Sequence, residues 1–190
     1  EGRAAWFWTT NVCYQQVNRA VIEDDAAALE SFGPLIRSIN SYITHNAVAE
    51  DATVWRGSDM DEETYAAYQE GEHYRFSMFH AYSESEETAW RFATRVLVCC
   101  TVPARCRSAA FLGPVSAFSH EDELILAPYT VGGCVRKGTR EHKGRTLPYI
   151  EFAIARDSGE FAIRSSEGRG AAADPDPRSA LLSYSKDLCR

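Results

Sequence analysis

Residues 120–129 read HEDELILAPY: two glutamates one residue apart, Glu121 and Glu123, followed by the apolar run Leu124, Ile125 and Leu126. The run predicts a strand entering a core, and on a strand residues i and i+2 share a face, roughly 6 to 7 Å apart. Two carboxylates so placed repel each other. A solvated acidic strand entrance explains them without any function. A site that needs two acids side by side explains them too, provided the rest of the chain supplies its other parts.

Around this stretch the texture is β-rich. Short runs at 53–55, 74–82, 95–102, 123–126, 130–135, 147–154 and 161–164 predict strands, and ESEETAWRFA (84–93) predicts a helix from its Thr88, Ala89, Trp90 and Phe92 cluster and its acidic first turn. Two helices precede them. One, capped by Thr10 or Asn11, carries Cys13, Val17, Ala20 and Val21 on one face and ends before the acidic residues 23–25. The other starts near FGPLIRSINSYI (32–43), with Pro34 near its first turn and Leu35, Ile36, Ile39, Tyr42 and Ile43 on its buried stripe. Helices first and strands afterwards predict an α+β domain rather than a βαβ repeat. Neither G-x-G-x-x-G nor G-x-x-x-x-G-K-[ST] occurs, so a Rossmann or P-loop reading has no support. A single domain is expected over 1–164. The Gly-, Ala-, Asp- and Pro-rich residues 165–190 are expected to form an extended tail.

With 190 residues, 45% of them hydrophobic, the chain can bury a full core. Its 27 acidic against 20 basic residues give a net charge of −7. That balance argues against capture of nucleic acid or anionic membrane, both of which rest on neutralising phosphates, and suits a cationic partner. No run approaches the ~18 apolar residues of a membrane helix. The first residues, EGRAAWFWTT, have neither the basic nor the apolar region of a signal peptide. A soluble chain is expected, either secreted or cytoplasmic. The six cysteines, Cys13, Cys99, Cys100, Cys106, Cys134 and Cys189, have no C-x-x-C spacing, so no metal site is expected. Cys13 and Cys189 could staple the two ends in a secreted chain, and buried free thiols are the alternative.

Two further stretches bear on the acidic pair. In VWRG (54–57), Arg56 ends a β-like run and precedes a glycine. An arginine there can bind phosphate through its two-pronged guanidinium, and Gly57 lets a ligand approach the backbone; a surface arginine beside a turn glycine is the plainer account. In YRFSMFHAYSESEETAWRFA (74–93) a strand runs through a serine turn into a helix. A hydroxyl at such a junction can hold a ligand or orient a neighbouring acid, or Ser83 or Ser85 simply caps the helix.

Taken in order, TVWRG, RFSMFHAYS and EDELILAP resemble the arginine, serine and glutamate motifs of the arginine-specific mono-ADP-ribosyltransferases, the R-S-E class, and FGPLIRSINSYI resembles the helix that precedes the family's arginine strand. The resemblance spans about residues 10–135. The family's serine stretch reads like R-F-G-x-F-x-S-x-S. In the register that keeps both aromatics, Ala81 stands at the first serine, Tyr82 in the middle and Ser83 at the second. A shifted register would use Ser83 and Ser85, and the first register is the one expected here.

The resemblance implies two small β-sheets packed at a steep angle around an NAD cleft, with helices on the N-terminal side. It implies transfer of ADP-ribose from NAD to a guanidino acceptor, on a protein or a small molecule, with release of nicotinamide. Glu123 would stabilise the positive charge that develops on the ribose as the nicotinamide bond breaks. Glu121 would meet the guanidinium, which is always protonated in water and needs a carboxylate to attract it and share its proton. Arg56 would grip the NAD diphosphate or shape the pocket beside it, and Gly57 would lie near the nicotinamide amide. Ser83 would support the ribose or Glu123. Phe79, Tyr82, Trp90 and Phe92 are the candidates for stacking on nicotinamide. No metal is required. An NAD glycohydrolase, in which water replaces the acceptor, and an inactive NAD- or protein-binding module of the same fold are the alternatives.

Overall fold

The computed structural model describes residues 2–10, 12–118, 122–156 and 172–173. The expected strand at 161–164, the Cys189 half of the terminal staple, Glu121, and all of the expected tail except residues 172–173 lie outside the described residues. The five described cysteines are buried free thiols.

Three helices come first: α1 (Gly2–Thr9), α2 (Tyr14–Glu23) and α3 (Ala26–His45). α2 starts later than expected, with Cys13 rather than Thr10 or Asn11 at its N-cap position, and it runs on through Glu23. α3 starts earlier than expected, because the Asp25 carboxylate accepts hydrogen bonds from the backbone N–H groups of Ala27 and Ala28. Pro34 therefore sits inside the helix and removes one of its backbone donors. Ile39, Tyr42 and Ile43 are buried as the stripe requires. With Ala5, Trp8 and Val17 they form a core cluster against Phe79, Ala110, Leu112 and Ile125 of the strand layer. No helix among the described residues is long and apolar enough to cross a membrane.

The strands follow as β1 (Ala52–Ser58), β2 (His73–Phe76), β3 (His80–Ser83), β4 (Val96–Val102), β5 (Ala109–Phe111), β6 (Glu123–Leu126), β7 (Thr130–His142), β8 (Arg145–Ile154) and the two-residue β9 (Ala172–Ala173). Between them lie α4 (Glu62–Ala67) and α5 (Glu86–Phe92). The α+β expectation holds, with one difference in how the strands connect. They form a single mixed ladder in the order β5-β6-β3-β1-β4-β8-β7-β2-β9 rather than two separate sheets. The join is the parallel pairing of β4 with β8, from Leu97 opposite Tyr149 to Thr101 opposite Ala153. Residues of both halves nevertheless meet in one buried cluster, with Val54, Tyr82, Val98 and Leu124 from one side and Tyr74, Phe76, Cys134 and Phe152 from the other. The β7–β8 register shifts between Cys134 and Arg136, which leaves a bulge at Val135.

The single expected run 74–82 is broken into β2 and β3. At the break Asn18 of α2 takes over both backbone groups of Phe79, donating to its carbonyl at 3.0 Å and accepting from its N–H at 3.2 Å. A side-chain amide thus replaces a ladder partner and fixes the helical layer to the start of β3.

Candidate functional site

β1, β3 and β6 lie side by side. Trp55 pairs with Ser83, and Ser83 pairs in turn with Glu123. Ala81 stands opposite Ile125. Directly opposed residues on an antiparallel pair share a face, with Cβ atoms about 4.5 to 5.5 Å apart. The residue that shares a rung with Glu123 is therefore Ser83, whereas the register expected from sequence put Ala81 at the first-serine place.

The hydroxyls on this turn are both engaged. Ser83 Oγ accepts the N–H of Ser85 at 3.0 Å, and Ser85 Oγ accepts the N–H of Thr88 at 3.2 Å, which caps α5. Ser85 is thus a helix cap, as its plainer account held. Ser83 and Glu123 are both buried, at 7% and 5% exposure. Asp122, immediately before Glu123, takes a left-handed backbone with φ of 44° and accepts the N–H of Glu84 through its carbonyl at 3.2 Å. Aspartate tolerates that conformation, and the turn aims the chain into β6. Sequence reasoning passed over Asp122, although an aspartate at the entrance of an apolar run is a turn signal.

Arg56, buried in β1, donates from Nη1 to the carbonyl of Ala81 at 3.3 Å, tying β1 to β3 beside the serine turn. Arg56 also faces His80, a buried histidine that sequence reasoning missed. Burial and the neighbouring Arg56 charge push the His80 imidazole well below its ordinary range, so it is neutral. Its ring stacks on Phe76 at 5.0 Å between centroids and on Tyr82 at 6.2 Å.

A narrow cleft of only about 10 Å³ lies between β1, β3 and α5, lined by Arg56, Gly57, Ala81, Tyr82, Ser83, Thr88 and Phe92. Gly57 has a different reason for being glycine from the one expected. A Cβ there would lie 2.1 Å from the backbone nitrogen of Ala93, 2.4 Å from the carbonyl carbon of Phe92 and 2.5 Å from the Ala89 oxygen. The absent side chain lets α5 press on β1, and the helix backbone fills that space.

Three of the four aromatic candidates are buried, and of these Tyr82 also lines the cleft. Phe79, 1% exposed, packs on Trp8 at 4.9 Å in the helical core, and Tyr82, 2% exposed, belongs to the core shared by the two halves of the sheet. A period-two strand sends neighbours to opposite faces, but the break before β3 hid which face was which. Trp90 is also buried, with its ring stacked on His142 at 5.4 Å. Phe92, half-buried, is the more exposed of the two candidates on the cleft wall.

That wall is clamped from outside by the β7–β8 hairpin. Arg140 pairs with Glu86 through two bonds, 2.7 and 2.9 Å, and its guanidinium lies 4.7 Å from the centre of the Trp55 ring. Glu87 bonds His142 and Lys143, each at 2.7 Å. At the other end of α5 Arg145 donates to the carbonyls of Trp90, Ala93 and Thr94. Acids at the helix start and a cation at its end also suit the helix dipole.

No protein-family model matches the chain, and no curated protein matches it. Among solved structures it is similar to Plx2a, an ADP-ribosyltransferase toxin from Paenibacillus larvae, with a TM-score of 0.69 and 16% identity over 81% of this chain and 85% of that one. It is similar to the C3 exoenzyme of Clostridium limosum, with a TM-score of 0.65 and 13% identity over 81% and 84%. It is also similar to the ADP-ribosyltransferase Vis of Vibrio splendidus in complex with agmatine, with a TM-score of 0.62 and 17% identity over 81% and 73%. The chain has the ADP-ribosyltransferase fold.

Proposed function

We propose that the protein is an NAD-dependent mono-ADP-ribosyltransferase acting on guanidino acceptors. The observation that carries the reading is the Ser83–Glu123 rung beside Arg56, at the edge of a cleft, in a fold shared with ADP-ribosyltransferase toxins. A structure of exoenzyme S from Pseudomonas aeruginosa with the same fold is bound to Carba-NAD, and Vis is bound to agmatine, a guanidino compound. Both support NAD as the donor substrate and a guanidinium as the acceptor.

In this reading the Glu123 carboxylate stabilises the positive charge that develops on the ribose as the bond to nicotinamide breaks. Burial strengthens that effect, because a carboxylate shielded from water acts through a lower effective dielectric. Ser83 holds Glu123 across the rung. Arg56 shapes the cleft through Ala81, which fits its burial better than a grip on exposed phosphates. Phe92, on the cleft wall, would cover nicotinamide. Glu121, two residues before Glu123, draws in the guanidinium and shares its proton.

Incubation with NAD labelled in its adenylate part, with and without agmatine, tests the proposal. ADP-ribosyl-agmatine is expected from the wild-type chain, and Glu121→Gln is expected to lose transfer while retaining hydrolysis of NAD. Equal hydrolysis with and without agmatine, and no adduct, would identify a glycohydrolase. No consumption of NAD would identify a binding module.

A further inference from the structure

At the far end of β6 from Glu123, α3 and the ends of β5 and β6 enclose an open cavity of about 230 Å³, lined among others by Asn40, Arg107, Ser108, Ala127, Pro128 and Arg156. β6 has four residues, so the cavity and the proposed catalytic carboxylate are separated by roughly 13 Å of strand.

The lining is unusual for this chain. In a protein of net charge −7, two arginines, Arg107 and Arg156, line this one cavity and neither has a hydrogen bond or ion pair among the described residues, although most of the cations described above are paired. The Oδ1 of Asn40 is buried without a partner at the same place. Ser108 Oγ accepts the weak thiol donor of Cys106 at 3.8 Å, so its own proton remains to be donated. The frame is rigid. The N–H of Ala127 bonds the Ser108 carbonyl at 2.8 Å, and Ala109 pairs with Leu126.

We infer that this cavity is a second ligand site, and that it binds the phosphate group of a small phosphorylated molecule. Two planar guanidiniums and a hydroxyl offer several donors to one oxyanion, and Arg matches phosphate geometry through paired bonds. The volume is below the usual 300 to 1,000 Å³ of drug-sized sites, which suits a phosphate with only a few atoms attached. The site is independent of the proposed transfer reaction.

The test is a titration of the full chain with inorganic phosphate, phenyl phosphate and acetate at constant ionic strength, followed by backbone amide shifts. Inorganic and phenyl phosphate are expected to move the amides of Ser108 and Ala127, and acetate at the same concentration to do so much less. Arg107→Gln with Arg156→Gln should weaken phosphate binding about tenfold or more, as loss of charge-assisted bonds predicts. Both side chains are exposed, so the unliganded melting temperature should stay that of the wild type. The double lysine variant, which keeps the charge, should retain part of the affinity. Shifts that survive the double glutamine variant, shifts centred on Arg56 instead, or an equal response to acetate would each overturn the assignment.

Discussion

Ser83 on β3 and Glu123 on β6 occupy the same rung of the sheet, while Ala81, two residues back, faces Ile125. If Ser83 supports Glu123 as proposed, Ser83→Ala should lower turnover with NAD by roughly tenfold. Ala81→Ser should bring no gain. If Ala81→Ser raised turnover and Ser83→Ala left it unchanged, the functional register would be the one that keeps both aromatics.

Glu123→Gln changes charge with little change of shape. Loss of about 3 kcal/mol of transition-state stabilisation should reduce both transfer and NAD hydrolysis by at least roughly a hundredfold, with an unaltered circular dichroism spectrum. A variant that kept more than a tenth of wild-type turnover would remove Glu123 from the chemistry.

Gly57→Ala is expected to act on stability. The added carbon meets helix backbone at 2.1 to 2.5 Å, so α5 must be displaced at a cost of about 1 to 3 kcal/mol or more. A clear fall in melting temperature, accompanied by weaker NAD binding because α5 is a wall of the cleft, is the expected pair of results. An unchanged melting temperature with weaker NAD binding would restore the ligand-approach role.

The clamp on α5 predicts an acid sensitivity. Burial alone would raise the Glu86 carboxyl, but hydrogen bonds from Arg140 and Trp90, with the charge of Arg140, outweigh it and hold the group below its ordinary value of 4.5. A depressed native value means that the stabilisation is present above about pH 4.5 and is lost as the pH falls through the native value. Glu86→Gln should thus melt below the wild type at pH 7, by an amount on the order of 1 kcal/mol, and the gap should close towards pH 3. A gap that is constant with pH would mean that the carboxylate contributes shape rather than charge.

The elements that the sequence announced are those with a strong pattern. β6 has its bounds in the apolar run after Glu123, and α5 shows itself through its acidic start and its Ala89 and Trp90 face. α4 escaped because it buries no residue and so has no apolar stripe; only the Asp61 cap and its two first-turn glutamates marked it. α1 is eight residues long, too short for periodicity to be read against its neighbours, and β5 has three. At the site, the motif order brought Arg56, Ser83 and Glu123 to adjacent strands. Which serine shares the rung was not legible, because register depends on the break that Asn18 imposes 61 residues away in sequence. For the same reason the burial of Phe79 and Tyr82 could not be read from their position beside the motif.

The parallel rung between β4 and β8 also has a consequence for how the chain is made. β4, VLVCCTV, is among the most apolar strands of the protein, and one of its two edges is covered only when β8 arrives some fifty residues later. A chain emerging from a ribosome can complete the half that bears Arg56, Ser83 and Glu123 first, yet it presents that bare strand to its surroundings until residues 145–154 are out. Such an edge invites pairing with other nascent chains. The long β7–β8 hairpin delivers its cover as one unit, and a message cut short before residue 145 should yield aggregates rather than a smaller folded protein.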